Sequence, residues 1–200
     1  MSEEYSGVKF KTIFKEKKKL KNEGIEELNN WCKSFSELDL APEVAGGYAG
    51  NLSFRIPGGF VITAAGADLG NLSDEDFVEV IGVDMNLKQI FVCGLKEPSS
   101  ESFLHHAIYM KRQDIFAVFH GHDELVLKYN DKLNFPVTEN EQPYGSMELM
   151  DEVVKILDNL NYILIKNHGF LSLGETMSDA GNDAVLQHQK ALKLVKSPPD

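Results

Sequence analysis

The sequence predicts a largely antiparallel or mixed β-sheet flanked by helices, and three observations carry that prediction. From Gly46 onward, short apolar runs rich in Val, Ile and Phe follow one another with Gly and Pro turn signals between them. Amphipathic stretches with helical periodicity stand before, among and after these runs. The strict strand–helix alternation that a doubly wound parallel sheet requires is absent. With 200 residues, the chain suits one domain over 1–200, able to build a core without staples. No internal repeat and no linker rich in Pro, Gly or Ser divides it, and residues 1–40 read as an N-terminal helical segment of the same domain.

In chain order, Lys11 to Phe35 reads as a helix with an interrupted apolar stripe of Ile13, Phe14, Leu20, Ile25, Leu28 and Trp31. Gly24 is a candidate break within it, and Lys15-Glu16-Lys17-Lys18-Lys19 reads as a solvated face. Leu52–Ile56 and Phe60–Thr63 flank Pro57-Gly58-Gly59, so a hairpin is predicted there. Ile90–Cys93 is a further short strand. Ser99–Gln113 follows as a helix with Phe103, Leu104, Ala107, Ile108 and Met110 on one side. The apolar run Ile115–Phe119 is a strand leading into His120. Glu148–Leu160 reads as a helix, Tyr162–Ile165 as a strand and Ser178–Val195 as the closing helix.

Charge narrows the function classes. A formal net charge of −11 argues against a nucleic-acid or anionic-membrane surface, since both need basic patches. A small anionic substrate stays open, because a local site can be positive on an acidic protein. Cys32 and Cys93 stand far apart, without Cys-x-x-Cys spacing, which points to a reducing, cytoplasmic setting and not to a disulfide framework. The start Met1-Ser2-Glu3-Glu4 lacks the basic-then-apolar layout of a signal peptide. No apolar run approaches the roughly 20 residues that span a bilayer.

His120-Gly121-His122 is the feature richest in chemistry. Side chains i and i+2 of an extended strand share a face, so both imidazoles leave the sheet together and can serve one transition metal. His168 ends a second apolar strand, Ile163-Leu164-Ile165. Alone it could be a satisfied core residue; with the other two it completes the three protein ligands of an open catalytic zinc site. Glu101, in Pro98-Ser99-Ser100-Glu101, sits at a predicted helix start, where serines cap and a carboxylate suits the macrodipole. The same geometry also offers free N–H groups for an anion and a carboxylate able to move protons. His105, one helical turn on, reads as supporting the site, and His106 and His188 read as surface residues. Gly46-Gly47-Tyr48-Ala49-Gly50-Asn51-Leu52-Ser53 precedes a strand, not a helix, so it is no Rossmann or P-loop fingerprint. It is either a plain turn or a backbone cradle for a substrate phosphate or hydroxyl, and Thr63-Ala64-Ala65-Gly66 could line the same cavity.

Taken in order, Gly50-Asn51-Leu52-Ser53, Ile62-Thr63-Ala64-Ala65-Gly66, Pro98-Ser99-Ser100-Glu101 with His105, His120-Gly121-His122 and Asn167-His168-Gly169 resemble the class II aldolase/adducin family. The resemblance runs from about Gly46 to Ala180. It implies a three-layer α/β/α sandwich around a mainly antiparallel or mixed sheet, and a homotetramer with sites between subunits. It implies that His120, His122 and His168 bind zinc (Zn2+) or another divalent metal, that Glu101 is the acid/base, and that Gly50, Asn51, Gly66, Ser99 and Ser100 hold the substrate phosphate. The implied activity is an aldolase-type lyase that cleaves a ketose 1-phosphate or related sugar through a metal-stabilised enediolate.

Three departures accompany the resemblance. Tyr48 stands where the fuculose-phosphate aldolases of the family carry Thr, and Ala64-Ala65-Gly66 replaces their Pro-Ser/Thr-Gly, losing a hydroxyl. Those aldolases also use a tyrosine after the His-x-His strand; Val137-Thr138-Glu139-Asn140-Glu141 lacks one, Tyr144 is nearby, and the tail ending Ser197-Pro198-Pro199-Asp200 has none. Alternatives within the family are a methylthioribulose-phosphate dehydratase, which also carries Glu at the position of Glu101, and a pentulose-phosphate epimerase, which usually carries Asp. A non-catalytic adducin-like interaction domain is a further alternative, disfavoured because such domains lose the histidines kept here.

Overall fold

The computed structural model describes residues 8–196. The acidic start Met1-Ser2-Glu3-Glu4 and the tail Ser197-Pro198-Pro199-Asp200 lie outside the described residues. The chain runs β1 (Lys11–Glu16), α1 (Gly24–Glu37), β2 (Glu43–Val44), β3 (Gly47–Tyr48), β4 (Asn51–Ile56), β5 (Gly59–Thr63), β6 (Phe77–Asp84), β7 (Gln89–Cys93) and α2 (Ser102–Lys111). It continues through β8 (Ala117–Gly121), α3 (Glu124–Lys128), α4 (Asn130–Leu133), α5 (Met147–Ile156), β9 (Tyr162–Ile165), β10 (Gly169–Gly174) and α6 (Met177–Lys196). Among the described residues no helix is long and apolar enough to cross a membrane.

Eight strands form one sheet in the order β1-β7-β6-β5-β4-β8-β10-β9. Only β1 pairs in parallel, with β7; every other neighbouring pair is antiparallel. The predicted mixed sheet and the hairpin around Pro57-Gly58-Gly59 are therefore present. Successive strand residues face opposite sides, and the core divides accordingly. Ile62, Val118, Ile163, Ile165 and Leu171 pack with Leu104 and Ile108 of α2 and Leu149 and Val153 of α5. Val61, Ala117, Phe119, Leu164 and Phe170 pack with Leu28 and Phe35 of α1 and Ala180 and Ala184 of α6. The result is the α/β/α sandwich the resemblance implies.

Four sequence expectations need correction. Lys11–Glu16 is an edge strand on β7 and not helix, so the N-terminal segment is only partly helical. Its Thr, Ile and Phe suit a half-buried strand, while its lysines protect the open edge; the Lys15 ammonium lies 4.7 Å over the Phe91 ring. The helix α1 begins only at Gly24, so the glycine marks a start and not a break. The helix α2 begins at Ser102, not Ser99. Met110 near its end is 63% exposed and does not join the core.

One half-buried cation holds α2 in place. The Arg55 guanidinium on β4 donates to the carbonyls of Tyr109, Arg112 and Ile115, each at 2.9 Å. A cation there satisfies carbonyls that a helix C-terminus leaves open. With that end fixed on β4, the opposite end of α2 points Glu101 at the end of β8. Phe119 is fully buried and meets Phe35 edge to face at 5.7 Å. Phe119→Ala should cost about 3–5 kcal/mol of unfolding free energy, read from the midpoint of urea denaturation.

Candidate metal centre

β8 leaves the sheet at Gly121, beside the turn that joins β9 to β10. The pairing Leu171↔His120 and Phe170↔Gly121 sets β10, one arm of that hairpin, in register with β8. That turn needs a left-handed residue, and Asn167 supplies it at φ 55°. His168 follows, its N–H donating to the Ile165 carbonyl. At Gly169 the backbones nearly touch: a Cβ there would stand 2.3 Å from the Gly121 carbonyl oxygen and 3.1 Å from His120 Cε1. Only a residue without a side chain allows the approach.

The three imidazoles converge. Ligand atoms of His120, His122 and His168 lie within 4.8 Å of one another, and the His120 and His168 Nε2 atoms are 3.1 Å apart. Glu101 closes the group from α2. Its Oε2 is 3.3 Å from His120 Nε2 and its Oε1 is 3.4 Å from His168 Nε2. Four ligands at about 2.0–2.1 Å around a tetrahedral zinc stand about 3.3 Å from each other. The three separations among His120, His168 and Glu101 therefore match edges of one coordination tetrahedron, His122 stands within 4.8 Å of the other two histidines, and the donor set of imidazoles and a carboxylate fits a divalent transition metal.

Protonation agrees with that fit. His120 Nδ1 lies 2.8 Å from the Phe170 carbonyl oxygen, which can only accept, so Nδ1 carries hydrogen and the neutral ring's Nε2 lone pair faces the centre. Burial, reinforced by His120 and His168, holds His122 well below the ordinary imidazole range. Burial works to raise the Glu101 carboxyl, but His120 and His168 when protonated, with the Asn51 amide, overcome it and hold the group well below the usual carboxylate range; with neutral rings a bound cation would supply that positive charge instead. Glu101 is therefore ionised, and its Oε1 is buried without a hydrogen-bond donor.

The remaining predicted residues surround one cavity of about 460 Å³, part of it open to solvent. Gly50, Asn51, Gly66, Ser99 and Ser100 line it together with the histidines and Glu101. Tyr144 lines it too, held there because Gly145, at φ 61°, presses onto Ser100, whose carbonyl oxygen would stand 2.8 Å from an added Cβ. His105 lies below the cavity, as expected of a supporting residue, with Nδ1 2.7 Å from Ser53 Oγ, which in turn meets the Tyr109 hydroxyl at 2.7 Å.

One assignment changes and one residue was missed. His188 is not a surface residue: it is buried, and its Nδ1 meets Asp123 Oδ2 at 2.7 Å. Asp123 directly follows the His-x-His motif, and its Oδ1 caps α3 by accepting from the N–H groups of Leu125 and Val126. An Asp before an amphipathic turn is a legible cap signal; its pairing with a histidine 65 residues away is not.

Two outcomes test this geometry. Gly169→Ala should weaken zinc binding at least tenfold, about 1.4 kcal/mol, in a chelator competition, because the added methyl pushes β8 from the turn. Burial lowers His105 to about 3 from 6.5. The unfolded chain therefore takes the proton first, and stability falls as pH drops through 6.5 toward 3. In the folded protein the His105 ring signal should not titrate between about pH 8 and pH 5, where a free imidazole does.

Residues 26–192 match the Class II Aldolase and Adducin N-terminal domain. The chain is 30% identical over 164 residues to an L-fuculose phosphate aldolase of Methanocaldococcus jannaschii, covering 74% of this chain and 86% of the relative. It is 24% identical over 203 residues to a methylthioribulose-1-phosphate dehydratase of Pseudoalteromonas translucida, covering 88% and 90% respectively. Among solved structures, an L-fuculose 1-phosphate aldolase superposes with a TM-score of 0.70 at 26% identity, over 88% of this chain and 85% of the other. The chain belongs to the class II aldolase and adducin family.

Proposed function

We propose that this protein is a zinc-dependent lyase that cleaves a carbon–carbon bond in a ketose 1-phosphate or related sugar. The observation that supports it is the set of 3.1, 3.3 and 3.4 Å separations among His120, His168 and Glu101. When bound, zinc supplies a Lewis acid for the ketone oxygen and its neighbouring hydroxyl. His120, His122 and His168 hold it as neutral nitrogen donors. Glu101, ionised and buried, gives or takes the proton at the substrate carbon beside the carbonyl. Asn51 holds Glu101 in place by donating Nδ2–H to its Oε2 at 2.8 Å. Gly50, Gly66, Ser99 and Ser100 seat the far end of the substrate, and Tyr144 closes that side of the cavity. A homotetrameric assembly and a cytoplasmic location belong to the same proposal.

A dehydratase of the methylthioribulose-phosphate type is the second reading. Its support is the relative of that name, which aligns over 88% of this chain, and the glutamate that such an enzyme shares. An assay that follows both aldehyde release and loss of water from the same ketoses separates the two.

His120→Ala and His168→Ala should each remove bound zinc, measured by elemental analysis of the purified protein; full metal content in either variant contradicts the ligand assignment. Glu101→Gln should keep zinc but lower turnover by about 10²–10⁴-fold, since an amide cannot transfer the proton. Near-normal turnover in that variant contradicts the acid/base role.

A further inference from the structure

The cradle before α2 offers an anion hydrogen bonds but no full positive charge. Gly66 and Ser100 line the cavity, and among the described residues their N–H groups meet no acceptor. Together with the serine hydroxyls they can seat a phosphate. Yet among the described residues no Lys or Arg lines the cavity. The formal charges nearby are negative: the Glu101 carboxylate in the cavity wall, and Asp68 and Glu43 beside the phenol of Tyr48. A phosphate monoester carries about 1.5–2 negative charges at neutral pH, and these carboxylates repel it.

Lys9 stands where a counter-charge is needed, and two separate contacts put it there. Phe10 is buried and meets Phe103, in the first turn of α2, edge to face at 5.2 Å. One residue earlier, the Lys9 ammonium donates to the main-chain carbonyl of Tyr144 and lies 4.2 Å over the centre of its ring. Tyr144 lines the cavity, and Gly145 after it rests on Ser100. Other cations around the site are committed elsewhere. Lys96 pairs with the Asp76 carboxylate at 2.6 Å, and Arg55 holds the far end of α2. Lys166 donates to the carbonyl of Glu139, which does not line the cavity. Lys9 is exposed, and its present partners, a carbonyl and a ring face, are neutral. A phosphate dianion is the stronger partner for an ammonium.

We infer that Lys9 selects for a phosphorylated substrate: its ammonium leaves the Tyr144 carbonyl and pairs with the phosphate seated on Gly66, Ser99 and Ser100. This rests on the lyase reading above and adds to it a residue that tells a sugar phosphate from the free sugar. Lys9 precedes residues 26–192, which carry the family match, so the selectivity belongs to this chain's own N-terminal segment. An exposed ammonium also makes the preference sensitive to salt, because ions screen it.

The test is calorimetric titration of the zinc-loaded protein and its Lys9→Met and Lys9→Arg variants with two hydroxamates. One is glycolohydroxamate, a metal chelator shaped like a two-carbon hydroxy-ketone fragment; the other is its phosphorylated counterpart. The quantity read is the ratio of the two affinities, which cancels any general loosening of the site. Lys9→Met should lower the preference for the phosphorylated compound at least about fivefold, and Lys9→Arg, which keeps the charge, should lower it less than about twofold. A smaller fall in Lys9→Met, including an equal loss for both compounds because Lys9 only braces Tyr144, overturns the inference and leaves the lyase reading intact. So does a fall in Lys9→Arg as large as that in Lys9→Met. Failure of the unsubstituted protein to take up zinc, or of both compounds to bind it once loaded, overturns the lyase reading and this inference with it.

Discussion

Two backbones run against each other at Gly121 and Gly169, and the closeness of that approach decides where the imidazoles lie. β8 and β10 are paired antiparallel, with His120 opposite Leu171. A tight turn at Asn167 then returns His168 alongside His120. A side chain at either glycine would meet a carbonyl oxygen or an aromatic ring at under 3.0 Å. The same ladder that completes the core through Phe119, Phe170 and Leu171 therefore sets the donor atoms. The centre is part of the sheet's hydrogen-bonding pattern and not an addition to it, as a preorganised site on rigid elements requires.

Electrostatics then binds α2 to that arrangement. An ionised Glu101, 3% exposed, is tolerable in the interior only because positive charge on the imidazoles, or on a cation they would hold, and the Asn51 amide lie against it. The Arg55 clamp at the other end of the helix fixes the direction in which Glu101 is presented. Asp123 and His188 brace the segment just beyond His122. Three elements on both faces of the sheet thus converge on one point, which explains why so many polar side chains are buried in a chain of this size.

The strands that carry chemistry were legible because their signals are local. Ile115–Phe119 and Ile163–Ile165 are apolar runs, and His120, His122 and His168 follow them at positions a strand orients without ambiguity. Local hairpin chemistry likewise showed β4 and β5 around Pro57-Gly58-Gly59. What escaped was set by distant partners. Lys11–Glu16 is a strand only because β7 offers an edge, β10 is defined by its two neighbours, and His188 is buried only because α6 crosses Asp123. Ser99–Glu101 read as the first turn of a helix, yet Ser99 caps that turn from outside it. None of these is a property of a short window of sequence.

X-ray absorption at the zinc edge measures the central relationship most directly. The expected result is a first shell of nitrogen and oxygen atoms at about 2.0–2.1 Å, with the outer-ring scattering of three imidazoles. A shell of oxygen atoms alone, or the signature of a single imidazole, would show that these side chains do not share one cation, and the mechanism built on them would have to be abandoned.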